Sequence, residues 1–250
     1  METVDGLLTR DRRDDRTALV DATGREFDVH WLCTTSWKAG NFLRHSGVRE
    51  GVTVGVVGSG PLALLAFFGT TLLEGTTRFD PPTDLTDDAD FRTLVAPTED
   101  IGSYELPPGA QRVCYGDDPD EPGVHHFDAG LWSENPSFPP LSIDPETALL
   151  TDGNRWVTHE EALEAAREVV DAHGLETGDR VVVRASLSDP RAVVAGVIAP
   201  LLAESVIVLT EGEHADEDVV TEDGDGRGEI AVSSEPVPEP DRIDLNAVDL

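Results

Sequence analysis

The sequence predicts an α/β fold made of two pseudo-repeated β-hairpin–α–β–α–β units that pack together. Predicted strands alternate with predicted helices, and the strands are continuous apolar runs of the kind that parallel sheets bury on both faces. The same order of turns, helices and strands begins again about 130 residues later, which indicates an internal repeat. We place the first unit at residues 1–146, with a crossover at about 80–146, and the second unit at residues 147–250.

The first unit opens with a predicted β-hairpin at residues 17–29 that turns at Gly24. A helix follows and ends at Gly47, because glycine tolerates the left-handed backbone found after helix ends. A valine-rich strand at residues 52–57 then leads to an apolar helix that Pro61 opens. A strand at residues 76–79 completes the unit.

The second unit repeats this order. Its hairpin at residues 147–157 turns at Asp152-Gly153-Asn154, and Thr158 with Glu161 forms a predicted capping box at the start of the next helix. A strand at residues 180–183, an apolar helix at residues 190–202 and a strand at residues 205–209 follow.

The remaining segments of both units are rich in turn-forming and charged residues. Residues 80–145 are rich in Pro, Asp and Gly and predict an irregular crossover with one or two short strands. Residues 211–228 predict an acidic surface loop, and the Pro/Glu-rich residues 234–241 predict an extended or mobile tail.

The charge of the chain is strongly negative. Fifty acidic residues stand against 18 basic ones, a formal net charge of −32, and Lys38 is the only lysine. Molar salt shortens the Debye length to about 3 Å and makes such self-repulsion tolerable, so we predict a protein of a halophile's salty cytosol. The alternative is an acidic partner for a basic surface. The sequence contains no basic stretch that could neutralise phosphates, so we predict no binding to nucleic acid.

The sequence also predicts a cytoplasmic location without membrane contact. The N-terminus has neither the basic region nor the apolar run of a signal peptide. The longest apolar segments, 61–73 and 192–203, are too short to cross a bilayer. Cys33 and Cys114 lie far apart and predict free buried thiols.

Several sequence segments together resemble the large domain of the adenylate-forming superfamily, which includes acyl-CoA synthetases and acid–AMP ligases. In the first unit the resemblance rests on Ala18-Leu19-Val20-Asp21 with its hairpin and on Asp80-Pro81-Pro82 after the last strand. In the second unit it rests on Val157-Thr158-His159 and on the segments 174–183 and 195–209. The resemblance implies the fold of that large domain over about two-thirds of the chain.

The chain departs from this family at the loop that would bind ATP. The resemblance implies a Ser/Thr/Gly-rich phosphate loop ending in lysine, where backbone N–H groups close on phosphate oxygens. Here the tight turn Thr151-Asp152-Gly153-Asn154-Arg155 replaces that loop, and Asp152 would repel a triphosphate. The family's adenine-binding segment, its ribose-binding aspartate and its lid domain with a catalytic lysine have no match either. We therefore predict no catalytic residues and no cofactor, with ATP, AMP or CoA disfavoured.

Two further groups of residues are candidates, one for an anion site and one for a metal site. Gly58, Ser59 and Gly60 lie between a strand and a helix, where a helix N-terminus can attract an anion, although close packing explains these glycines as well. His125 and His126 lie among aspartates, but no metal-like spacing fixes them, and we predict no metal. The candidate ligand-binding residues are Thr151, Asp152, Gly153, Asn154 and Arg155 with Gly58, Ser59 and Gly60.

The sequence thus predicts a non-catalytic, degenerate homologue of these ligases that acts as a binding or interaction subunit. Its partner would be another protein or a second copy of the chain. Two alternatives remain open: a small-molecule binder that holds an acyl group, AMP or CoA in the cleft between the units, or a ligase completed by a separate lid subunit.

Overall fold

The computed structural model describes residues 1–210 and 228–250, so the predicted acidic loop lies, apart from Gly228, outside the described residues. The strands are β1 (Thr17–Val20), β2 (Glu26–Asp28), β3 (Thr53–Val56), β4 (Thr76–Phe79), β5 (Phe91–Pro97), β6 (Gln111–Tyr115), β7 (Val124–His126), β8 (Ala148–Thr151), β9 (Trp156–Thr158), β10 (Arg180–Val183), β11 (Val206–Leu209), β12 (Ile230–Ser233) and β13 (Asp241–Asp244). The helices are α1 (Val29–His45), α2 (Pro61–Thr71), α3 (Phe127–Ser133), α4 (His159–His173), α5 (Pro190–Val193) and α6 (Ala199–Ala203).

These strands form two sheets in which parallel pairing dominates. The six-stranded sheet has the order β13-β12-β10-β11-β1-β2, and the seven-stranded sheet has the order β7-β6-β5-β3-β4-β8-β9. The two hairpins supply the antiparallel pairs, β1 with β2 and β8 with β9. The predicted α/β class is confirmed, and each half contains the expected hairpin, helix, strand, helix and strand.

The two hairpins are exchanged between the sheets. The hairpin β1–β2 lies at the edge of the six-stranded sheet, where Leu19 pairs with Ile207 of β11. The hairpin β8–β9 lies at the edge of the seven-stranded sheet, where Leu150 pairs with Thr77 of β4. Strand pairing therefore crosses the boundary proposed between residues 146 and 147, and the division into two units there stays a prediction.

A large apolar core joins the two sheets. Helix α2 is buried along almost its whole length, including Phe67 and Phe68, which explains why its sequence is apolar on all sides. Helices α1 and α2 approach closely at Gly69, where a Cβ would lie 2.8 Å from the carbonyl carbon of Ala39. Helix α4 instead buries one face and exposes the other, as its amphipathic pattern predicts.

Local signals at the helix ends agree with the structure. The capping box at α4 is present, with the amide of Glu161 donating to the Thr158 side chain and the amide of Thr158 donating to the Glu161 carboxylate. Helices α5 and α6 form one continuous helix, with a π-helical turn (Val194–Ile198) between them. Pro200 has no N–H to donate one turn back, which accounts for an irregular bond pattern at this point.

No helix within residues 1–210 and 228–250 is long and apolar enough to cross a membrane. Cys33 and Cys114 are both buried and unpaired with each other, as expected.

Candidate functional site

The structure brings both candidate turns to one edge of the seven-stranded sheet. Strands β3, β4 and β8 are parallel neighbours, so their C-terminal ends meet at the same edge. The turn at 58–60 follows β3 and the turn at 152–155 follows β8, with β4 between them. Two strand spacings place the turns about 10 Å apart.

The turn after β8 uses its own side chains to satisfy its backbone. Oδ1 of Asp152 accepts the N–H groups of Asn154 at 2.7 Å and Arg155 at 2.8 Å. Oγ1 of Thr151 accepts the N–H of Gly153 at 3.0 Å. The bonds from Arg155 and Asn154 lower the pKa of the Asp152 carboxyl, because they favour its charged form. Three N–H groups that could have faced a phosphate are therefore occupied.

The hairpin β1–β2 is closed in the same way. Oδ1 of Asp21 accepts the N–H groups of Thr23 at 2.9 Å and Arg25 at 3.0 Å. In both hairpins an aspartate thus bonds to amides that follow it in the turn. The turn after β8 has the construction of an ordinary hairpin turn.

Two arginines lie near the turn after β8. Gly153 has a φ of 91°, and a Cβ there would collide with the guanidinium of Arg78 from β4. Nη2 of Arg155 lies 3.5 Å from Oε1 of Glu161, the capping residue of α4. Arg155 is thus drawn towards the start of α4.

The turn after β3 also meets a carboxylate. Oδ1 of Asp80, just beyond β4, accepts the N–H of Gly58 at 2.9 Å. Desolvation raises the pKa of Asp80 above its ordinary value, against the opposing effect of this hydrogen bond. A Cβ at Gly58 would collide with the hydroxyl of Tyr115, which donates to the carbonyl of Val57 at 2.6 Å. Gly60 is the N-cap of α2, and because glycine has no side chain, no side-chain hydrogen bond caps this helix.

Arg78 and Asp80 are also part of this region, although neither is among the candidate residues predicted from the sequence. Both lie at the end of β4, from which Arg78 reaches the turn after β8 and Asp80 reaches the turn after β3. The available signal was a pair of opposite charges, one inside β4 and one just after it. Its meaning depends on knowing that β4 lies between β3 and β8.

A cavity of about 610 Å³ adjoins the turn after β8. Its wall includes Asp152 and Arg155 from the seven-stranded sheet and Asp189 and Arg191 from the start of α5. Arg191 binds Asp189 through two contacts of 2.7 Å and 3.0 Å, and this pair raises the pKa of Arg191. The cavity does not reach residues 58–60, so the two candidate turns do not share it.

Of the two histidines considered as metal ligands, His126 lies beside two aspartates. Nδ1 of His126 lies 3.1 Å from Asp118, and Nε2 lies 3.5 Å from Asp128. Within the described part of the chain, no group of three or more His, Cys, Asp and Glu side chains is arranged to hold a metal ion. His159 is completely buried, and its Nδ1 accepts the N–H of Val4 at 3.1 Å.

Comparisons with known proteins identify the fold. No protein-family model matches the chain, and no curated protein matches it in sequence. Solved structures match it well. The anthranilate CoA ligase AuaEII, in complex with anthranoyl-AMP, has a TM-score of 0.78 at 20% identity, and the match covers 92% of this chain and 49% of the ligase.

Two further solved structures give the same result. ATP-bound MatB from Rhodopseudomonas palustris has a TM-score of 0.72 at 15% identity, covering 93% of this chain and 49% of MatB. The inhibitor-bound N-terminal domain of FACL13 from Mycobacterium tuberculosis has a TM-score of 0.75 at 14% identity, covering 93% and 63%. The chain spans about half the length of the full ligases.

The chain therefore has the α/β fold of the large domain of adenylate-forming enzymes. The resemblance seen in the sequence motifs is confirmed as a shared fold over most of the chain.

Proposed function

We propose that this protein is a non-catalytic homologue of the adenylate-forming ligases and acts as a binding or interaction subunit in a salt-rich cytosol. One observation carries the proposal. The turn in place of the phosphate loop bonds its N–H groups to Thr151 and Asp152, so these groups are not available to a nucleotide.

Electrostatics supports the same conclusion. A phosphate placed at the turn after β8 would meet the carboxylate of Asp152, and one placed at the turn after β3 would meet Asp80. Anion sites at backbone amides work because the amides are free and no like charge lies beside them. The residues present therefore do not fit ATP, and we derive no adenylation step through it.

The decisive assay is pyrophosphate release from ATP–Mg²⁺ with a panel of carboxylic acids, in about 2–3 M KCl to screen the charge of the chain. We expect no release above background and no acyl-adenylate. Formation of an acyl-adenylate with pyrophosphate would refute the proposal.

A matched pair of variants tests the role of the turn itself. Asp152→Gly frees two N–H groups and removes a negative charge, so we expect it to bind inorganic pyrophosphate more tightly than the wild type. Asp21→Gly makes the same change in the hairpin β1–β2 and serves as the control. Equal effects of both variants would indicate a general change in charge rather than an occupied phosphate site.

The cavity of about 610 Å³ favours a second candidate function, a small-molecule binder. Its volume lies within the usual range of ligand sites, and its wall contains Arg155 and Arg191. Thermal unfolding with AMP, CoA and fatty acids tests this candidate. A ligand at 100 times its dissociation constant stabilises by about 2.7 kcal/mol, which raises Tm by roughly 5–10 °C for this size.

The remaining parts of the proposal concern partners and location. The chain's partner would be another protein or a second copy, without nucleic acid or membrane, in the cytoplasm. A ligase completed by a separate lid subunit is the third candidate. Adding the small domain of a related ligase in the pyrophosphate assay tests it, and we expect no activity.

A further inference from the structure

A second cavity system lies at the other end of α2 from the turn at 58–60. Gly60 is the N-cap of α2 and Leu72 is its C-cap. The eleven residues of α2 span about 16 Å. Leu72 contributes to this second system, which has no wall residue in common with the cavity beside Asp152.

The first compartment of this system is cationic. It has a volume of about 510 Å³ and is lined by Arg10, Arg44 and His45, with Glu134 as its acidic residue. Within residues 1–210 and 228–250, neither Arg10 nor Arg44 has a carboxylate within 4.0 Å. A chain of net charge −32 thus places two arginines without such partners beside one cavity, while Oε1 of Glu134 lies 3.9 Å from Nε2 of His45.

The wall of this compartment is held in place by specific contacts. Nδ2 of Asn41 donates to the carbonyls of Asn135 and Ser137, both at 3.0 Å, and so ties the crossover segment to α1. The guanidinium carbon of Arg44 lies 5.0 Å from the ring centroid of Phe138. A guanidinium stacked on an aromatic ring is positioned without losing its hydrogen-bond donors.

The second compartment is largely apolar. Its volume is about 460 Å³, and Leu8, Trp37, Leu72 and Leu141 contribute to its wall. Arg10, Phe138 and Pro139 line both compartments, which therefore adjoin. Asp5 and Asp11 also reach the second compartment. These acids would repel a ligand with negative charges along its whole length. The ligand's negative charge therefore belongs in the first compartment, between Arg10 and Arg44, as one compact group.

We propose that this pair of compartments binds a soluble organic phosphate monoester whose apolar group has the size of an aryl ring. The phosphate would lie between Arg10 and Arg44, since two guanidinium groups match a dianion through paired N–H donors. The apolar group would enter the space beside Trp37 and Leu141. This site is independent of the function proposed above, because it uses none of the same residues.

Isothermal titration with phenyl phosphate tests the proposal, with inorganic phosphate and phenol as the two halves of the probe. The titrations use the lowest KCl concentration at which the wild type stays folded, because salt screens exposed charges. We expect phenyl phosphate to bind more tightly than either half. Arg44→Gln should weaken its binding about tenfold, through loss of charge-assisted hydrogen bonds.

The chain offers a matched control for this variant. The guanidinium carbon of Arg25 lies 4.8 Å from the ring of Phe27, so Arg25→Gln removes an equally exposed stacked arginine outside the site. Its affinity should equal that of the wild type. Leu141→Trp, which fills the apolar compartment, should weaken phenyl phosphate more than inorganic phosphate.

Two results would overturn the proposal. One is that phenyl phosphate binds no more tightly than inorganic phosphate. The other is that Arg25→Gln weakens binding as much as Arg44→Gln does, since that would indicate a general effect of charge. Arg44→Lys retains the charge without the planar donor pair, so it should bind phenyl phosphate less tightly than the wild type. If the glutamine variant unfolds, this loss supports the assignment and an unchanged affinity overturns it.

Discussion

The buried histidine at the start of α4 should make the protein less stable as the pH falls from 6.5 to 4. His159 is fully buried, and desolvation lowers its pKa from 6.5 to about 4, against the opposing attraction of Asp5. The unfolded chain therefore binds a proton in this range that the folded chain excludes. One pKa unit corresponds to about 1.4 kcal/mol, so roughly 3 kcal/mol of stability is present above pH 6.5 and lost by pH 4.

Urea unfolding at several pH values, at constant high KCl, measures this effect. Carboxylates also titrate in the range, and their protonation relieves self-repulsion, so the informative quantity is the difference between two proteins. His159→Gln removes the titration and keeps a carbonyl that can accept the N–H of Val4. Between pH 6.5 and 4 the wild type should lose roughly 3 kcal/mol more than this variant.

His30→Gln is the matched control, because His30 is an exposed histidine in the first turn of α1. It should follow the pH dependence of the wild type. The reasoning is refuted if wild type and His159→Gln lose stability in parallel from pH 6.5 to 4.

Two further predictions concern stability. Gly58→Ala should destabilise by about 1–3 kcal/mol, since it combines a φ of 93° with a collision at the hydrogen-bonded hydroxyl of the rigid Tyr115 ring. Gly51→Ala, where φ is 75° and no atom lies within 4 Å of the new Cβ, should cost about 1 kcal/mol, and equal losses in urea unfolding would contradict this account. Arg184→Met should cost about 3–5 kcal/mol, because it leaves the fully buried carboxylate of Glu239 unpaired. Arg242→Met breaks a half-exposed pair and should cost under about 1 kcal/mol, so similar Tm losses for both variants would show that burial does not matter here.

The elements of the fold could be predicted from sequence because their signals are local. The capping box at Thr158 and Glu161 and the glycine turns depend on residues a few positions apart. The exchange of the hairpins could not be predicted in this way. Leu19 of β1 pairs with Ile207 of β11, but several other strands are also rich in valine. Nothing in the residue pattern of β1 indicates which of these strands lies beside it.

The candidate site was predicted only in part for the same reason. The tight turn between Thr151 and Arg155 was visible in the sequence. The contacts that Arg78 and Asp80 make with the two turns require the order β3-β4-β8, which only tertiary structure supplies.

The exchanged hairpins have a consequence for synthesis of the chain on the ribosome. The strand β1 emerges about 190 residues before its partner β11, roughly 10–40 s earlier at ordinary translation rates. Until then the backbone groups of β1 that bond to β11 remain unpaired or are covered by a chaperone. The six-stranded sheet can close only after β11 has emerged, so this step of folding joins two segments that are made far apart in time.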